Sequence, residues 1–231
     1  MAQRGGGGRR GRQRRQQQQY EELDKYPVMP PHAFARIVRD LRTLNIVYQV
    51  IEPPLTKKEE EVRSEIQAIF IQALTADIEE IDANPELYLR AAMDQIVKSY
   101  RLKVNKKSRS KIFYYLKRDL IGYGRMDVLM NDANVEDVSL DGTNIPIFAY
   151  HRKFESTETT IAWPDDHELE SYVIKLAQRC GKHISVAEPL LDATLMDGSR
   201  IVMKLGREVS TRGSTFCIRR FREDPFSPCD I

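Results

Sequence analysis

The spacing of apolar residues predicts helices up to residue 121 and a strand-rich region after it. From residue 56 onward, apolar residues recur every three to five positions, which is the repeat of an amphipathic helix. Breaks separate three such stretches, and the Gly-Tyr-Gly at 122–124 ends the last. Three amphipathic helices with short connections predict a helical bundle. The start signals are Thr56 with Glu59, Asn84 with Pro85, and Ser108 or Ser110, and the first apolar stripe is Val62, Ile66, Ile69, Ala73, Ile78 and Ile81.

After that Gly-Tyr-Gly the pattern changes to short alternating segments punctuated by turn residues, which is typical of a sheet. Residues 135–152 predict two strands around a turn at 141–144, and residues 154–163 predict a polar edge strand. A helix follows, capped by Asp165 and ended by Gly181. The last predicted strands are LLDATL, RIVMKLG and STFCIRRF. The expected fold class is α+β, with an amino-terminal helical bundle followed by a mixed α/β sandwich in which a helix packs on a sheet.

Composition and pattern together divide the chain into segments. Residues 1–20 are rich in arginine, glycine and glutamine and predict a disordered tail. Residues 21–55 predict a lead-in segment with a strand and with a short helix at PPHAFARIVRDL. The helical bundle is expected over 56–121 and the α/β domain over 122–222, and residues 223–231 resemble the start of a linker.

The formal net charge of +2 hides a basic tail on a mildly acidic body. The first nineteen residues hold six arginines and no acidic residue, which leaves 30 basic against 34 acidic residues after them. Such a tail can bind an anionic partner, such as the phosphates of RNA or of lipid headgroups, or it can be a solvated leader. The basic run KVNKKSRSK at 103–111 allows the same two interpretations, a phosphate-facing patch or a solvated loop.

The cysteines and histidines predict neither a disulfide framework nor a metal site. Cys180, Cys217 and Cys229 are odd in number and widely spaced. His151 and His183 have no carboxylate or cysteine at metal-ligand spacing, so we expect loop or surface roles for both. No apolar run approaches the roughly 18 residues that span a bilayer, and the amino terminus lacks the apolar stretch of a signal peptide. Reduced thiols and a cytoplasmic location are therefore expected.

Two arginines lie on predicted strands, where a charged side chain is costly to bury. Because side chains alternate along a strand, Arg200 and Arg219 each lie opposite the apolar face, and a hairpin would bring both to one surface. A planar guanidinium fork suits phosphate oxygens, and two forks can hold one phosphate group. The alternative is that both extend into solvent or pair with Asp192, Asp197 or Glu223.

Three long runs after residue 120 are distinctive: IGYGRMDVLMNDANVEDVSLDGTNIPIFAYHRKFES, VIKLAQRCGKHISVAEPLLDATLMDGSRI and GREVSTRGSTFCIRRFREDPFSP. They closely resemble the amino-terminal domain of the archaeal type II/IV secretion ATPases, the group that includes the archaellum motor ATPase. YQVIEPPLTKKEEE resembles that family's segment ahead of its helical bundle. The resemblance covers roughly residues 46–231. The family is similar in turn to the pilus-retraction, conjugation and type II secretion ATPases of bacteria.

The resemblance implies a place for this domain in a hexameric motor. In that family the amino-terminal domain sits over a RecA-like domain, with the nucleotide at their junction, and the motor attaches to the inner face of the cell membrane through a polytopic platform protein. The resemblance also implies that Arg200 of Asp-Gly-Ser-Arg and Arg219 of Ile-Arg-Arg-Phe, with Arg220 as a further candidate, reach toward the phosphates. Preplaced guanidinium groups stabilise the charge on a γ-phosphate during transfer.

The chain lacks the sequence motifs that bind and hydrolyse ATP. Nothing in it matches Gly-x-x-x-x-Gly-Lys-[Ser/Thr], since Leu176 stands where RCGKH would need the first glycine, and no acidic Walker B strand follows. We therefore expect a noncatalytic part that meets ATP and magnesium only together with the missing motor domain and binds no cofactor alone. Two other functions stay open: a nucleic-acid-binding module that uses the basic tail, and an adaptor that docks on a motor ATPase.

Overall fold

A computed structural model describes residues 19–73, 84–102 and 104–221. In these residues the chain forms a nine-stranded sheet and five α-helices, which confirms the predicted α+β class. The strands are β1 (Tyr20–Met29), β2 (Ala33–Asp40), β3 (Ile46–Ile51), β4 (Val135–Leu140), β5 (Pro146–His151), β6 (Glu155–Ala162), β7 (Leu190–Thr194), β8 (Arg200–Lys204) and β9 (Thr215–Arg219). The helices are α1 (Lys57–Ala73), α2 (Pro85–Ser99), α3 (Lys106–Leu116), α4 (Asp127–Asn131) and α5 (Asp166–Arg179), with a π-helical turn at Lys117–Ile121 and a 3-10 turn at Gly124–Met126. The predicted tail up to residue 18, Ile78, Ile81 and residues 223–231 lie outside the described residues.

The chain divides into two compact units. Of the described residues, the sheet unit comprises 19–28, 35–50 and 129–221, and the helical unit comprises 29–34, 51–73, 84–102 and 104–128. The helical unit contains α1, α2 and α3, and the sheet unit contains α5 and all or most of each strand. None of the helices in the described ranges is both long enough and apolar enough to cross a bilayer.

The helical unit has an apolar core between α1, α2 and α3. Its buried members recur at helical spacing and include Ile66 of the predicted first stripe, with Val62 and Ile69 partly buried against them. α2 begins as predicted, with Asn84 Oδ1 accepting a hydrogen bond from Leu87 N at 3.2 Å. α3 begins earlier than predicted because Asn105 Oδ1 accepts from Ser108 N at 2.8 Å, which makes Asn105 the N-cap. The buried core residues are Ile66, Phe70, Leu89, Met93, Ile96, Ile112 and Leu116.

The capping box predicted at the start of α1 is present. Thr56 N donates to Glu59 Oε2 at 2.7 Å, and Glu59 N donates to Thr56 Oγ1 at 3.3 Å. Each bond satisfies a backbone N–H that the helix itself leaves without a partner. Hydrogen bonds from Ser108 and from the Thr56 backbone hold the pKa of the Glu59 carboxyl at about 2.

Replacing Thr56 with alanine is expected to lower the free energy of unfolding by about 1 kcal/mol, because the amide of Glu59 loses its acceptor. The depressed pKa of Glu59 keeps its carboxylate charged at pH 4, so the cost should be similar at pH 7 and pH 4 and shrink only as the pH falls toward about 2. Urea unfolding, followed by the helical circular dichroism signal, measures this loss of stability at each pH. Glu60→Ala, at an exposed position of the same turn, is the matched control. An equal cost for both variants would contradict the cap.

Residues 30–41, predicted as a helix, instead contain strand β2. Burial alternates with a period of two along the first half of this strand. From the less buried face, Arg36 donates to Glu22 Oε2 on β1 and to Gln49 Oε1 on β3. The alanines and arginines of this stretch favour a helix locally, but pairing with the two neighbouring strands outweighs that preference.

The nine strands lie in the order β1-β2-β3-β6-β5-β4-β9-β8-β7. β3 and β6 are parallel, with Val47 opposite Glu158 and Tyr48 opposite Thr159. The pairs among β4 to β9 are antiparallel. The prediction that β6 is an edge strand is therefore wrong, because β3 covers its outer side. These two strands are far apart in the sequence, so no local pattern indicates that they pair.

The two outer strands, β1 and β7, both carry features that hinder pairing with another chain. β1 contains Pro27, which has no N–H, and its Lys25 N–H donates to Asp24 Oδ1 at 2.8 Å. On β7 the carbonyl oxygen of Asp192 accepts from Lys182 Nζ at 2.9 Å. These features reduce the backbone groups that an incoming strand could bind.

One face of the sheet is covered by α5. Asp165 Oδ2 caps this helix as predicted, accepting from Glu168 N at 3.0 Å. The ring of Trp163 lies 4.7 Å from that of Tyr172 on α5 and 6.0 Å from that of Phe216 on β9, measured between centroids. Along β8 and β9 the alternate residues are exposed. The opposite face of these strands is thus open to solvent in the described part of the chain.

Candidate functional site

Arg200 on β8 and Arg219 on β9 lie directly opposite each other on the open face of the sheet. Their side chains are 73% and 81% exposed, whereas the next residues along each strand, Ile201 and Ile218, are buried. The predicted face of each strand is therefore confirmed. Because Cβ atoms of directly opposed residues are about 5 Å apart, both guanidinium groups extend from one small area of surface.

Each of these arginines has a carboxylate on its outer side. Arg219 Nε lies 3.1 Å from Asp137 Oδ1 on β4, and Arg200 Nη2 lies 3.3 Å from Asp192 Oδ2 on β7. We call these four residues the arginine stripe, in which the charges run minus, plus, plus, minus across four strands. Exposed ion pairs stabilise by at most about 1 kcal/mol, so both guanidinium groups can exchange these partners for a stronger anion.

The predicted alternative, that the arginines pair with nearby acids, holds in part. Asp192 is a partner of Arg200, as expected. Asp197 instead accepts a hydrogen bond from Ser199 N at 3.0 Å, within the turn between β7 and β8. Glu223 lies outside the described residues. Asp137, the partner of Arg219, was not anticipated, because β4 is remote from β9 in the sequence.

Arg220 lies on the other face of the chain from Arg219. Its Nη1 donates to the carbonyl oxygen of Asp132 and, at 2.8 Å, to that of Val135. These bonds hold the segment between α4 and β4. The structure therefore brings Arg200 and Arg219 together and directs Arg220 elsewhere. That Arg220 contacts phosphate stays a prediction.

Aromatic side chains flank the arginine stripe. Tyr150 on β5 lies opposite Asp137. Phe221 covers Gly198, where an added Cβ would lie 3.1 Å from the Phe221 ring and where φ is +84°, so glycine is required at this turn. Cys217 is exposed on this face, and partial desolvation and the charge of Asp137 raise the pKa of its thiol, which disfavours the nucleophilic thiolate. This face therefore presents two exposed guanidinium groups close to aromatic rings.

The two histidines differ in their surroundings. His183 is exposed, as predicted. His151 is 2% exposed, so the loop or surface role expected for it is wrong. It lies on the same face of β5 as the buried Ile147 and Ala149, and strand alternation alone indicates this. Within the described ranges, no group of three or more His, Cys, Asp or Glu side chains is placed to hold a metal ion.

His151 belongs to a buried hydrogen-bonded group that sequence analysis missed. Asp132 Oδ2 accepts from the hydroxyls of Tyr26 at 2.6 Å and Tyr48 at 2.7 Å, and Tyr26 Oη lies 2.9 Å from His151 Nε2. We call these four residues the Asp132 network. Burial and the neighbouring Asp132 raise the pKa of both tyrosines, so their hydroxyls stay protonated. The members come from distant segments, and no spacing in the sequence links them.

The basic run between α2 and α3 is partly engaged within the helical unit. Arg109 pairs with Asp94 on α2. Lys111 Nζ lies 3.5 Å from Glu59 Oε1 and donates to the carbonyl oxygen of Pro54 at 3.0 Å. These contacts occupy two of the cations that a phosphate-facing patch would use, and they favour the structural interpretation of the run.

The chain is similar to three uncharacterized proteins of Methanocaldococcus jannaschii. It is 42% identical to MJ1288 over 164 residues, which are 71% of this chain and 65% of that protein. It is 38% identical to MJ0900 over 127 residues and 34% identical to MJ0781 over 120 residues, which are 23% and 16% of those proteins. The matched stretch thus spans less than two thirds of each relative and occurs in proteins of very different length.

Two further comparisons were made, with models of protein families and with solved structures. No model of a known protein family matches the chain. A solved structure of the VirB11 ATPase from the Brucella suis type IV secretion system, in complex with sulphate, aligns with a TM-score of 0.35 and 21% identity. The alignment covers 44% of this chain and 31% of that one.

Proposed function

We propose that this chain is the noncatalytic amino-terminal part of a hexameric motor ATPase of the secretion or archaellum type. In this proposal Arg200 and Arg219 contact the phosphates of ATP held by a RecA-like domain. The observation that carries the proposal is the arginine stripe, in which two arginines face each other on an open sheet surface. The sequence resemblance described above supports the same assignment.

The stripe has the chemistry of a phosphate site. Two like charges directly opposite each other on a sheet are unfavourable, and an anion between them removes that cost. Two guanidinium forks offer parallel N–H donors to several phosphate oxygens, which a pair of lysines would not. Asp137 and Asp192 hold the side chains on either side until the anion arrives.

The residues present fit the phosphate groups of ATP and not its magnesium ion. Magnesium needs oxygen ligands, and in P-loop enzymes a Ser or Thr hydroxyl supplies one. This sequence has no Gly-x-x-x-x-Gly-Lys-[Ser/Thr], so the metal and the hydrolytic machinery would come from the motor domain. Bound there, ATP would supply the hydrolysed phosphoanhydride bond, and this chain would supply positive charge and orientation.

The wider assembly is proposed on the resemblance. A hexamer would place six copies of the stripe in one ring, and attachment through a polytopic platform protein would bring the motor to the inner face of the cell membrane. Hydrolysis would then power filament assembly or protein secretion. The recurrence of the matched stretch in relatives of different length fits a domain that is combined with others.

Reading the gene beyond the codon for Ile231 tests the proposal. We expect an in-frame Gly-x-x-x-x-Gly-Lys-[Ser/Thr], and we expect the resulting protein to be a hexamer that hydrolyses ATP and loses activity when the P-loop lysine is replaced. A stop codon at that point would overturn the motor assignment and favour an adaptor. An ATPase whose mass in solution corresponds to a monomer would overturn the hexamer.

A further inference from the structure

The Asp132 network joins the first three strands to the rest of the sheet, and the proposed function does not use it. Tyr26 lies on β1 and Tyr48 on β3, while His151 ends β5 and Asp132 precedes β4. The backbone pairing across this junction is short, since only Val47 with Glu158 and Tyr48 with Thr159 are in register between β3 and β6. By contrast, β8 and β9 are in register along their full length. The network is therefore a polar link between β1–β3 and β4–β9, beside the ion pair of Lys153 Nζ with Asp24 Oδ2 at 3.2 Å.

The positions of the protons in this network follow from its donors. Lys153 N–H donates to His151 Nδ1 at 3.1 Å, so the neutral imidazole carries its proton on Nε2. That proton is directed at the Tyr26 oxygen, which leaves the Tyr26 hydroxyl proton for Asp132. Asp132 Oδ1 accepts from Asn134 N at 2.9 Å. Every proton in the chain of bonds has an acceptor as long as the imidazole is neutral.

A second proton on His151 breaks this arrangement. It would sit on Nδ1 and face the N–H of Lys153, so one hydrogen bond is lost and two donors are opposed. Burial lowers the pKa of His151 and is the largest effect. The charges of Asp132 and then Asp24 oppose it, and the charge of Lys153, the smallest of the four effects, lowers the pKa. The titratable and charged groups that face the ring are Asp24 and Tyr26 from β1, Tyr48 from β3, Asp132 ahead of β4, and Lys153 after β5.

We propose that the Asp132 network is an acid-sensitive latch: uptake of one proton by His151 detaches β1–β3 from β4–β9 while the pairing within β4–β9 persists. The direction follows from linkage. The detached imidazole titrates near its ordinary pKa of about 6.5 and the latched one below it, so attachment is strongest above about pH 6.5 and weakens as the pH falls below that value. Detachment would leave the outer edge of β6 free to accept a strand from another chain.

Amide hydrogen exchange of the whole chain between pH 7.5 and pH 5, corrected for the intrinsic exchange rate, tests the latch. Below about pH 6.5 the opening constant of β1–β3 is expected to rise by up to tenfold per pH unit, the limit for uptake of one proton. The opening constant of β8–β9 should change less than about twofold, since that pairing takes up no proton. In His151→Gln, which keeps a donor at the Nε2 position and does not titrate, the constant for β1–β3 should not depend on pH. His183→Gln, at an exposed position, is the matched control and should behave as wild type.

Two results would overturn the latch. One is a His151→Gln protein that keeps the wild-type pH dependence, and the other is opening of β8–β9 in parallel with β1–β3. If His151→Gln does not fold, nitrogen-15 NMR of the imidazole rings in the wild-type chain tests the latch instead. We expect the Nε2–H tautomer of His151 at pH 8 and a titration midpoint below 6.5 that coincides with the opening of β1–β3. Titration of the His151 ring without any change in the amide hydrogen exchange of β1–β3 would contradict the proposal.

Discussion

In the proposed motor ATPase, replacing Arg200 or Arg219 with alanine is expected to lower kcat for ATP hydrolysis about 100-fold or more. A preplaced donor aimed at the charge that develops in the transition state is commonly worth that much, and an arginine directed at a transferring phosphate can be worth more. The fold should be unaffected, because both side chains are largely exposed and only their exposed ion pairs would be lost. Lysine should restore little at either position, since an ammonium lacks the fork that binds two oxygens.

Steady-state ATPase assays on the purified complete protein, with circular dichroism to verify folding, measure this effect. Lys204→Ala is the matched control, because Lys204 is an exposed cation on the same face of β8 but lies opposite Thr215 instead of an arginine. Its kcat should stay within about threefold of wild type, which corresponds to less than about 1 kcal/mol. An unchanged kcat in both arginine variants would refute the phosphate assignment. An equal loss in Lys204→Ala would point to general electrostatic attraction.

The face on which each arginine lies could be predicted, because it depends only on strand alternation. Arg200 and Arg219 follow that rule, as do the buried Ile201 and Ile218. Their direct opposition depends also on the irregular connection between β8 and β9, for which the sequence has no simple code. Arg219's partner Asp137 comes from β4, and only the strand order places it there.

The first three strands could not be predicted from local pattern. Residues 33–40 contain alanines and arginines, which suit a helix. β2 is nevertheless a strand, because the strands on both sides of it satisfy its backbone groups. β3 and β6 pair although residues 52–128 of the helical unit lie between them in the sequence. Such long-range pairing is decided by tertiary contacts, and a single sequence does not reveal it. The capping residues Thr56, Asn84 and Asp165, by contrast, act within one helical turn and were predicted correctly.

The Asp132 network shows the same division between local and distant information. Alternation on β5 indicates that His151 is buried, and a buried histidine needs hydrogen-bond partners. The identity of those partners depends on β1 and β3 joining the sheet, which was not foreseen. Because residues 30–41 were predicted as a helix, the Asp132 network could not be predicted either.

Replacing Trp163 with alanine is expected to lower the free energy of unfolding of the sheet unit by about 3–5 kcal/mol. The side chain is 1% exposed, and the rings of Tyr172 and Phe216 pack against it, so alanine would leave a cavity between α5 and the sheet. Trp163 is the one tryptophan of the sequence, so unfolding in urea must be followed by circular dichroism and not by its fluorescence. The matched control is Tyr150→Ala, an aromatic residue on the open face that is 44% exposed, which should cost less than about 1 kcal/mol.

This variant also separates folding from function in the proposed motor. Phe216 lies on β9 with Arg219, but the two side chains leave opposite faces of the strand, so loss of Trp163 weakens the packing behind the arginine stripe without removing any charge from it. Turnover per folded molecule should therefore stay within a few-fold of wild type below the unfolding transition, while the stability falls. Equal costs for Trp163→Ala and Tyr150→Ala would contradict the packing of α5 described here. A full loss of turnover in well-folded Trp163→Ala would mean that the position of β9, and not the charge on Arg219 alone, controls the reaction.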